Sequence, residues 1–390
     1  MNLTERDQKY NWHPYTQHKT AALPIGIIKG KDALLWDENN KEYIDAIASW
    51  WVNPFGHSNS FIADAIYKQL TTLEHVLFGG FTHEPVVKLS EQLMKVLPSN
   101  QQKIFYSDNG STAVEVAIKV SLQYFYNKGI QKTTIVAFEN AFHGDTFAAM
   151  AASGISFYTQ AFQGMFIDVV RIPVPLKGQE QESFDALKKV VANHNCAGFI
   201  FEPLVQGAAG MVMYEPESLD KLIAICEENK VLTIADEVMT GFGKTGKTFA
   251  CDYLQRQPDM MCLSKALTGG TIPMAITTFT QEIFDAFCDE DINKALFHGH
   301  TFTANPTGCA AAIASFELLQ TPEMQKNIER VHNSHLVFQE HIASHPKVIT
   351  TRVLGVIFAL EIKTDGESSY YGNIRNTLYD FFIENGVILR

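Results

Sequence analysis

The sequence predicts an α/β fold: a mainly parallel, seven-stranded sheet flanked by helices, joined to a smaller α+β domain. Three observations predict it. Short apolar runs at 103–107, 134–138, 169–173, 198–202, 231–235, 260–263 and 275–279 alternate with segments of helical period, the rhythm of a sheet covered by helices. The run at 231–235, VLTIA, is aliphatic or β-branched throughout, as a strand buried on both faces requires, and Asp236 stands at its end. The run at 260–263, MMCL, is followed by Ser264 and Lys265. Ligand crevices of open α/β sheets lie outside the C-terminal ends of the strands, so both polar residues hold functional positions.

Each element follows in order. Residues 24–45 contain the strand-like runs GIIKG and ALLWD, a turn at Glu38, Asn39, Asn40 and Lys41, then YIDAIA. Trp12, His13, Pro14, Tyr15 and Thr16 precede this segment, and Ser49, Trp50 and Trp51 follow it; spacing alone favours aromatic core over pocket lining. Helices are expected over 58–73 and 84–96, the second ended by Pro98. After the 103–107 strand, a turn of small residues from Asp108 to Thr112 leads into a helix over 113–126, and such turns aim backbone amides at an anion. Further helices are expected at 184–192, 216–228 and 306–319. Beyond Pro322 the chain turns more polar, with a helix to about 343 and strands at 348–351 and 356–362. The expected division is an N-terminal segment, 1–55, that packs with the small domain, a large domain, 56–320, and a C-terminal small domain, 321–390.

Composition narrows the function. The chain has 390 residues, 46% hydrophobic and 19% charged, in the range of a globular enzyme. A formal charge of -12 without a basic block disfavours nucleic acid as a partner. The six cysteines are scattered without a C-x-x-C pair, which suits buried reduced thiols. No apolar signal core or bilayer-length run is present, so no membrane partner and a cytoplasmic location are expected.

A lysine between apolar segments is costly to bury as an ammonium, and a lysine of lowered pKa is the group that forms Schiff bases with carbonyls. Lys265 paired with Asp236, an acid able to keep a pyridinium nitrogen protonated, therefore describes a pyridoxal phosphate site. Singly, Asp236 reads as a cap or ion pair and Lys265 as a surface lysine; with the anion-ready turn at Gly110 and Ser111 they favour the cofactor. His143 or Phe142, at another strand-to-helix turn, could stack on a planar ring. The competing signal is GFGKTGKT from Gly241 to Thr248, which fits both G-x-G-x-x-G and G-x-x-x-x-G-K-[ST] and raises a P-loop nucleotide-binding alternative. Asp236 and Glu237 intervene after the strand and FACD is a poor helix opening, so the expectation is a glycine-rich loop beside the site. His298 and His300 lack a third ligand of suitable spacing, and His332, His335, His341 and His345 are expected on a solvated helix face; no metal is assigned.

The segments ADEVMTGFGKTGKTFAC and PDMMCLSKALTGG resemble the core signature of class III pyridoxal-phosphate-dependent aminotransferases, of aspartate aminotransferase fold type I. WHPYTQ, SWW, HVLFGGFTHEP, DNGSTAVEVAIK, FHGDTF, EPLVQGAAGMVMY and HGHTFTANPTGCAAA bring the resemblance closer to the branch that aminates 8-amino-7-oxononanoate in biotin synthesis. The resemblance implies that Lys265 holds the cofactor, that Asp236 pairs with its ring nitrogen, and that Gly110 and Ser111 bind its phosphate with Thr301 of a neighbouring subunit, in a homodimer with the active site at the interface. It implies Phe142 and His143 at the ring, and Tyr15, Trp50, Trp51, Asp145, Gly299 and Arg390 around the substrate. Phe142 replaces a more usual tyrosine, Lys244 an arginine and His300 a proline. The implied amino donor is S-adenosylmethionine, with lysine used by some relatives; the alternative within the family is an ω-aminotransferase of ornithine, 4-aminobutyrate or a β-amino acid. Relatives continue past Arg390, so the C-terminal domain is expected to be incomplete.

Overall fold

The computed structural model describes residues 1–154, 159–363 and 374–389. Its central sheet contains β1 (Gln101–Ser107), β2 (Thr134–Phe138), β3 (Val169–Ile172), β4 (Cys196–Phe201), β5 (Leu232–Asp236), β6 (Met260–Leu263) and β7 (Ala275–Thr280). Across the sheet the order is β1-β7-β6-β5-β4-β2-β3. Every strand is parallel to the others except β7, which is antiparallel to both its neighbours.

Alternation along the strands feeds two cores. Val136 and Phe138 of β2 and Phe199 and Phe201 of β4 pack with Phe184 and Leu187 of the Glu180–Asn193 helix and Leu219 and Leu222 of the Pro216–Glu228 helix. Ile135 and Ala137, one residue out of phase, join Val114, Ile118 and Phe125 of the Gly110–Asn127 helix on the other face. Phe138 is fully buried and meets Phe199 edge to face at 5.2 Å. Truncating it to alanine would cost about 3–5 kcal/mol.

The Gly110–Asn127 helix starts three residues earlier than its periodicity suggests, because Asn109 caps it. The Asn109 side chain accepts from the Thr112 amide at 3.1 Å, while the Asn109 amide donates to the Thr112 hydroxyl at 3.1 Å. The helix ends at Asn127, before Gly129 at φ 71°.

The N-terminal strands Ile27–Lys31, Leu34–Asp37 and Glu42–Asp45 form a meander whose last strand pairs in parallel with Val387–Ile388, at the other end of the chain. The Pro322–Ile342 helix packs on a hairpin of Val348–Leu354 and Ile357–Ile362. Here the solvated-face expectation for the histidines needs correction. His332 Nδ1 donates to the Gly355 carbonyl at 3.1 Å, the His335 ring lies 5.5 Å from that of Phe358, and His345 falls beyond the helix. Five of the cysteines are buried, but Cys288 is exposed. The aromatic-core expectation also fails for Trp12, Tyr15 and Trp50, which are 90%, 47% and 38% exposed.

The glycine-rich loop opens no long helix. Two of its amides are used internally: Gly246 donates to the Gly243 carbonyl and Gly243 to the Thr248 carbonyl, both at 3.1 Å; Phe249, just after it, donates to Asp252 at 2.8 Å. A P-loop needs a strand that leads directly into a long helix, and the missing helix argues against the P-loop alternative. The hairpin turn seats on this loop instead. Val356 donates to the Lys244 carbonyl at 2.9 Å, and a Cβ on Gly355 would fall 2.3 Å from the Gly246 nitrogen.

Candidate active site

β5 and β6 are parallel neighbours with Asp236 in register with Cys262, so Asp236 and Lys265 leave adjacent strands at the same end of the sheet. Asp236 is buried, and its carboxylate is aimed by two donors: His143 Nδ1 at 2.7 Å on Oδ2 and the Val238 amide at 3.1 Å on Oδ1. His143 is buried too, with its own amide donating to Ser153 Oγ at 2.9 Å. Lys265 opens a single 3₁₀ turn, Lys265–Thr268, at φ 48°. That left-handed backbone turns the side chain back over the strand ends, where Nζ lies 5.1 Å from the centre of the Trp51 ring. Burial pushes the amine pKa down, against the pull of the Asp236 and Glu202 charges.

An anion cradle faces the same loops. Gly110 and Ser111 occupy the first turn of an 18-residue helix, where amides have no carbonyl four residues back and the dipole favours negative charge. A Cβ on Gly110 would lie 2.6 Å from Val238 Cγ1, so the helix start rests against the residue that braces Asp236. Gly144, at φ 130°, would place a Cβ 2.1 Å from Ser111 Oγ, a close approach only glycine allows. The Asp145 amide donates to Ser111 Oγ at 3.1 Å, fastening the two loops together.

Two buried ionisable groups complete the centre. Glu202 ends the apolar run of β4 as Asp236 ends that of β5, and this shared signal was available in the sequence. It accepts from the Phe142 amide at 3.0 Å and the Gly207 amide at 2.8 Å, so it fixes the backbone of partly buried Phe142. Burial first, and then the balance of the His143 and Asp236 charges, leaves its pKa at about 7. Lys244 is buried as well, with Nζ 3.4 Å from the Gly241 carbonyl; burial, followed by repulsion from Lys265, brings it down to about 7. Glu237, beside Asp236, turns inward instead: it accepts from Thr240 Oγ1 at 2.5 Å and the Cys251 amide at 2.7 Å.

An aromatic rim overhangs the lysine. Trp51 faces Lys265, the Trp50 ring meets the Tyr15 ring edge to face at 5.6 Å, and the Tyr15 hydroxyl donates to the Asp145 carboxylate. Ala48, Ser49, Trp50 and Trp51 all have positive φ, of 47°, 47°, 73° and 68°. Left-handed backbone costs residues with a Cβ roughly 1–2 kcal/mol each, so this turn must be held by its surroundings. Gly299 and Thr301 lie exposed on a loop. Arg390 lies outside the described residues.

These parts, a helix N-terminus with first-turn amides, a buried carboxylate and an amine of lowered pKa, fit pyridoxal phosphate. Residues 15–390 match the family described as Aminotransferase class-III. The chain belongs to that family, whose members are pyridoxal-phosphate-dependent enzymes. It is 43% identical over 387 residues to the adenosylmethionine-8-amino-7-oxononanoate aminotransferase of Synechococcus elongatus, covering 97% of this chain and 91% of that protein. With the enzyme of the same name from Staphylococcus aureus it shares 36% identity, over 94% of this chain and 85% of that one. Among solved structures, that of the Methanocaldococcus jannaschii adenosylmethionine-8-amino-7-oxononanoate aminotransferase superposes with a TM-score of 0.93 at 31% identity, covering 100% of this chain and 91% of that one. An omega transaminase from Pseudomonas jessenii, in complex with PMP, gives 0.92 at 26% identity, over 100% and 91%. The fold is thus that of class III pyridoxal-phosphate transaminases.

Proposed function

We propose that this chain transfers an amino group to 8-amino-7-oxononanoate, giving 7,8-diaminononanoate, with S-adenosylmethionine as donor and pyridoxal phosphate as cofactor. The observation that carries the reading is the aromatic rim set directly over Lys265, with Trp51 5.1 Å from its Nζ. A flat apolar wall suits the long alkyl chain of the acceptor, and the Synechococcus elongatus and Staphylococcus aureus relatives carry that activity in their names.

Pyridoxal phosphate, when bound, supplies an aldehyde to hold the amine and a cationic ring that draws electrons from the substrate carbon. The Gly110 and Ser111 amides hold its phosphate, joined by Thr301 of a second subunit in a homodimer. Phe142 covers the ring and His143 braces Asp236, whose carboxylate keeps the ring nitrogen protonated. Lys265 holds the cofactor through Nζ. As a neutral amine its Nζ would take the proton from the donor carbon and hold it for redelivery, and it would act in the reverse sense in the second half-reaction. Tyr15, Trp50, Trp51, Asp145 and Gly299 shape the acceptor pocket, and Arg390 binds its carboxylate. The same reading treats 1–55 and 321–390 as one small domain beside 56–320, in a cytoplasmic enzyme.

The homodimer is tested by light scattering and by mixing Lys265→Ala with Thr301→Ala subunits, which should restore one intact site per mixed dimer. Substrate choice is tested by a panel of donors and acceptors, each half-reaction followed by cofactor absorbance. The panel includes ornithine, 4-aminobutyrate, a β-amino acid and lysine, since the likeness to an omega transaminase favours one of these as the second reading. Turnover of 8-amino-7-oxononanoate at least tenfold more efficient than of any other acceptor is expected; preference for an ω-amino acid would overturn the assignment.

A further inference from the structure

The left-handed turn of residues 48–51 stands on a buried carboxylate that the chemistry does not use. Asp45 closes the Glu42–Asp45 strand with its side chain only 2% exposed. Its Oδ2 accepts from Ser49 Oγ at 2.7 Å and from His57 Nε2 at 2.9 Å. Asn53 Nδ2 donates to His57 Nδ1 at 3.1 Å, which fixes the imidazole with its proton on Nε2, toward the carboxylate. His57 is itself clamped to the strand connection, its amide donating to the Asp32 carbonyl at 2.7 Å and its carbonyl accepting from Asp32 at 3.1 Å. The carboxylate thus ties the middle of the turn to a rigid strand.

The far side of the turn is seated against the lysine. A Cβ on Gly270 would fall 2.9 Å from the Val52 carbonyl oxygen, and one on Gly269 would fall 3.3 Å from the Phe55 ring. Both glycines directly follow the Lys265–Thr268 turn. The strained residues therefore bridge the Asp45 anchor and the Lys265 segment, and they carry two indoles, that of Trp51 facing Lys265 and that of Trp50 facing Tyr15.

We infer that Asp45, Ser49 and His57 form a latch that holds residues 48–51 left-handed, and so sets the position of Trp50 and Trp51 for the amino acceptor. Asp45 and Ser49 are positioning residues: neither touches the reacting atoms, and both act through the two tryptophans. This inference rests on the proposed transamination for its kinetic readout, but not for its structural one.

Two variants of one residue separate the latch from a merely local hydroxyl. Ser49→Ala and Ser49→Gly both remove the bond to Asp45, but only alanine keeps the cost of left-handed backbone. Ser49→Ala should raise the acceptor KM about tenfold with kcat and cofactor absorbance near normal, and should diminish the near-ultraviolet circular dichroism of a protein with four tryptophans. Ser49→Gly should do so only about threefold, and Ala48→Gly should restore most of the loss in the Ser49→Ala background. Equal effects of alanine and glycine, or wild-type KM and dichroism in Ser49→Ala, would overturn the latch. If the wild-type enzyme turned over no keto acceptor, the function would fail, yet dichroism and the Ala48→Gly rescue would still decide the latch.

Discussion

The strand-end centre and the aromatic rim meet at Lys265 but are built differently. Asp236, Glu202 and His143 sit at or beside the ends of parallel strands, buried, with short hydrogen bonds that leave each little freedom. Tyr15 and Trp50 sit on exposed, irregular backbone that depends on side-chain anchors, Asp145 for Tyr15 and Asp45 for the turn that carries Trp50. The difference teaches where tolerance lies. The proposed chemistry is fixed by a rigid sheet, whereas the proposed substrate wall hangs on a turn that contacts alone keep in an unfavourable conformation.

Substitutions on either side of that boundary can break or sharpen the contrast. Lys265→Ala should abolish transamination, by roughly 10⁴-fold or more, and remove the absorbance of covalently held cofactor; retention of both would take Lys265 out of its role. Asp236→Asn should slow single-turnover proton abstraction by about 10²–10⁴-fold with circular dichroism and melting unchanged, because only the support for ring charge is lost. Lys244 probes the electrostatics of the same centre. Its pKa of about 7 in the fold, below that of a free lysine, means the folded protein binds fewer protons than the unfolded chain from about pH 7 to 10.5. Stability contributed at this site is therefore present above the free-lysine value and lost as pH falls through 7. Lys244→Met should stabilise the protein at pH 6 by on the order of 4 kcal/mol and change little at pH 10.5, as read by denaturant melts. The smallest effect belongs to the rim. Tyr15→Phe deletes one partly exposed hydrogen bond to Asp145, so an acceptor KM up by about fivefold with unchanged kcat is expected from steady-state kinetics.

The same contrast explains what the sequence reveals. The inner strands of the central sheet are short, largely apolar runs buried on both faces, and Thr134–Phe138 and Met260–Leu263 coincide with their expected bounds. Asp236 and Lys265 inherit that clarity because a polar residue ending such a run has a defined place. Glu202 follows the same rule and went unmarked, since glutamate before proline also reads as an ordinary loop residue. Trp50 and Trp51 could not be placed by any local pattern. Nothing in ASWW signals left-handed backbone, which normally announces itself by glycine or asparagine; its cause, the Asp45 carboxylate and the His57 clamp, lies outside the tetrapeptide. His332 and His335 were obscured likewise, because nothing in the period of the Pro322–Ile342 helix shows which face the following hairpin covers.

Gly355 carries a lesson for anyone recombining this chain with its relatives. With no room for even a methyl group between it and the backbone of Thr245 and Gly246, the tip of the C-terminal hairpin and the loop bearing Lys244 behave as one cassette. Crossovers that exchange either piece without its mate should yield chimeras whose hairpin rides too high, shifting the lysine beneath it.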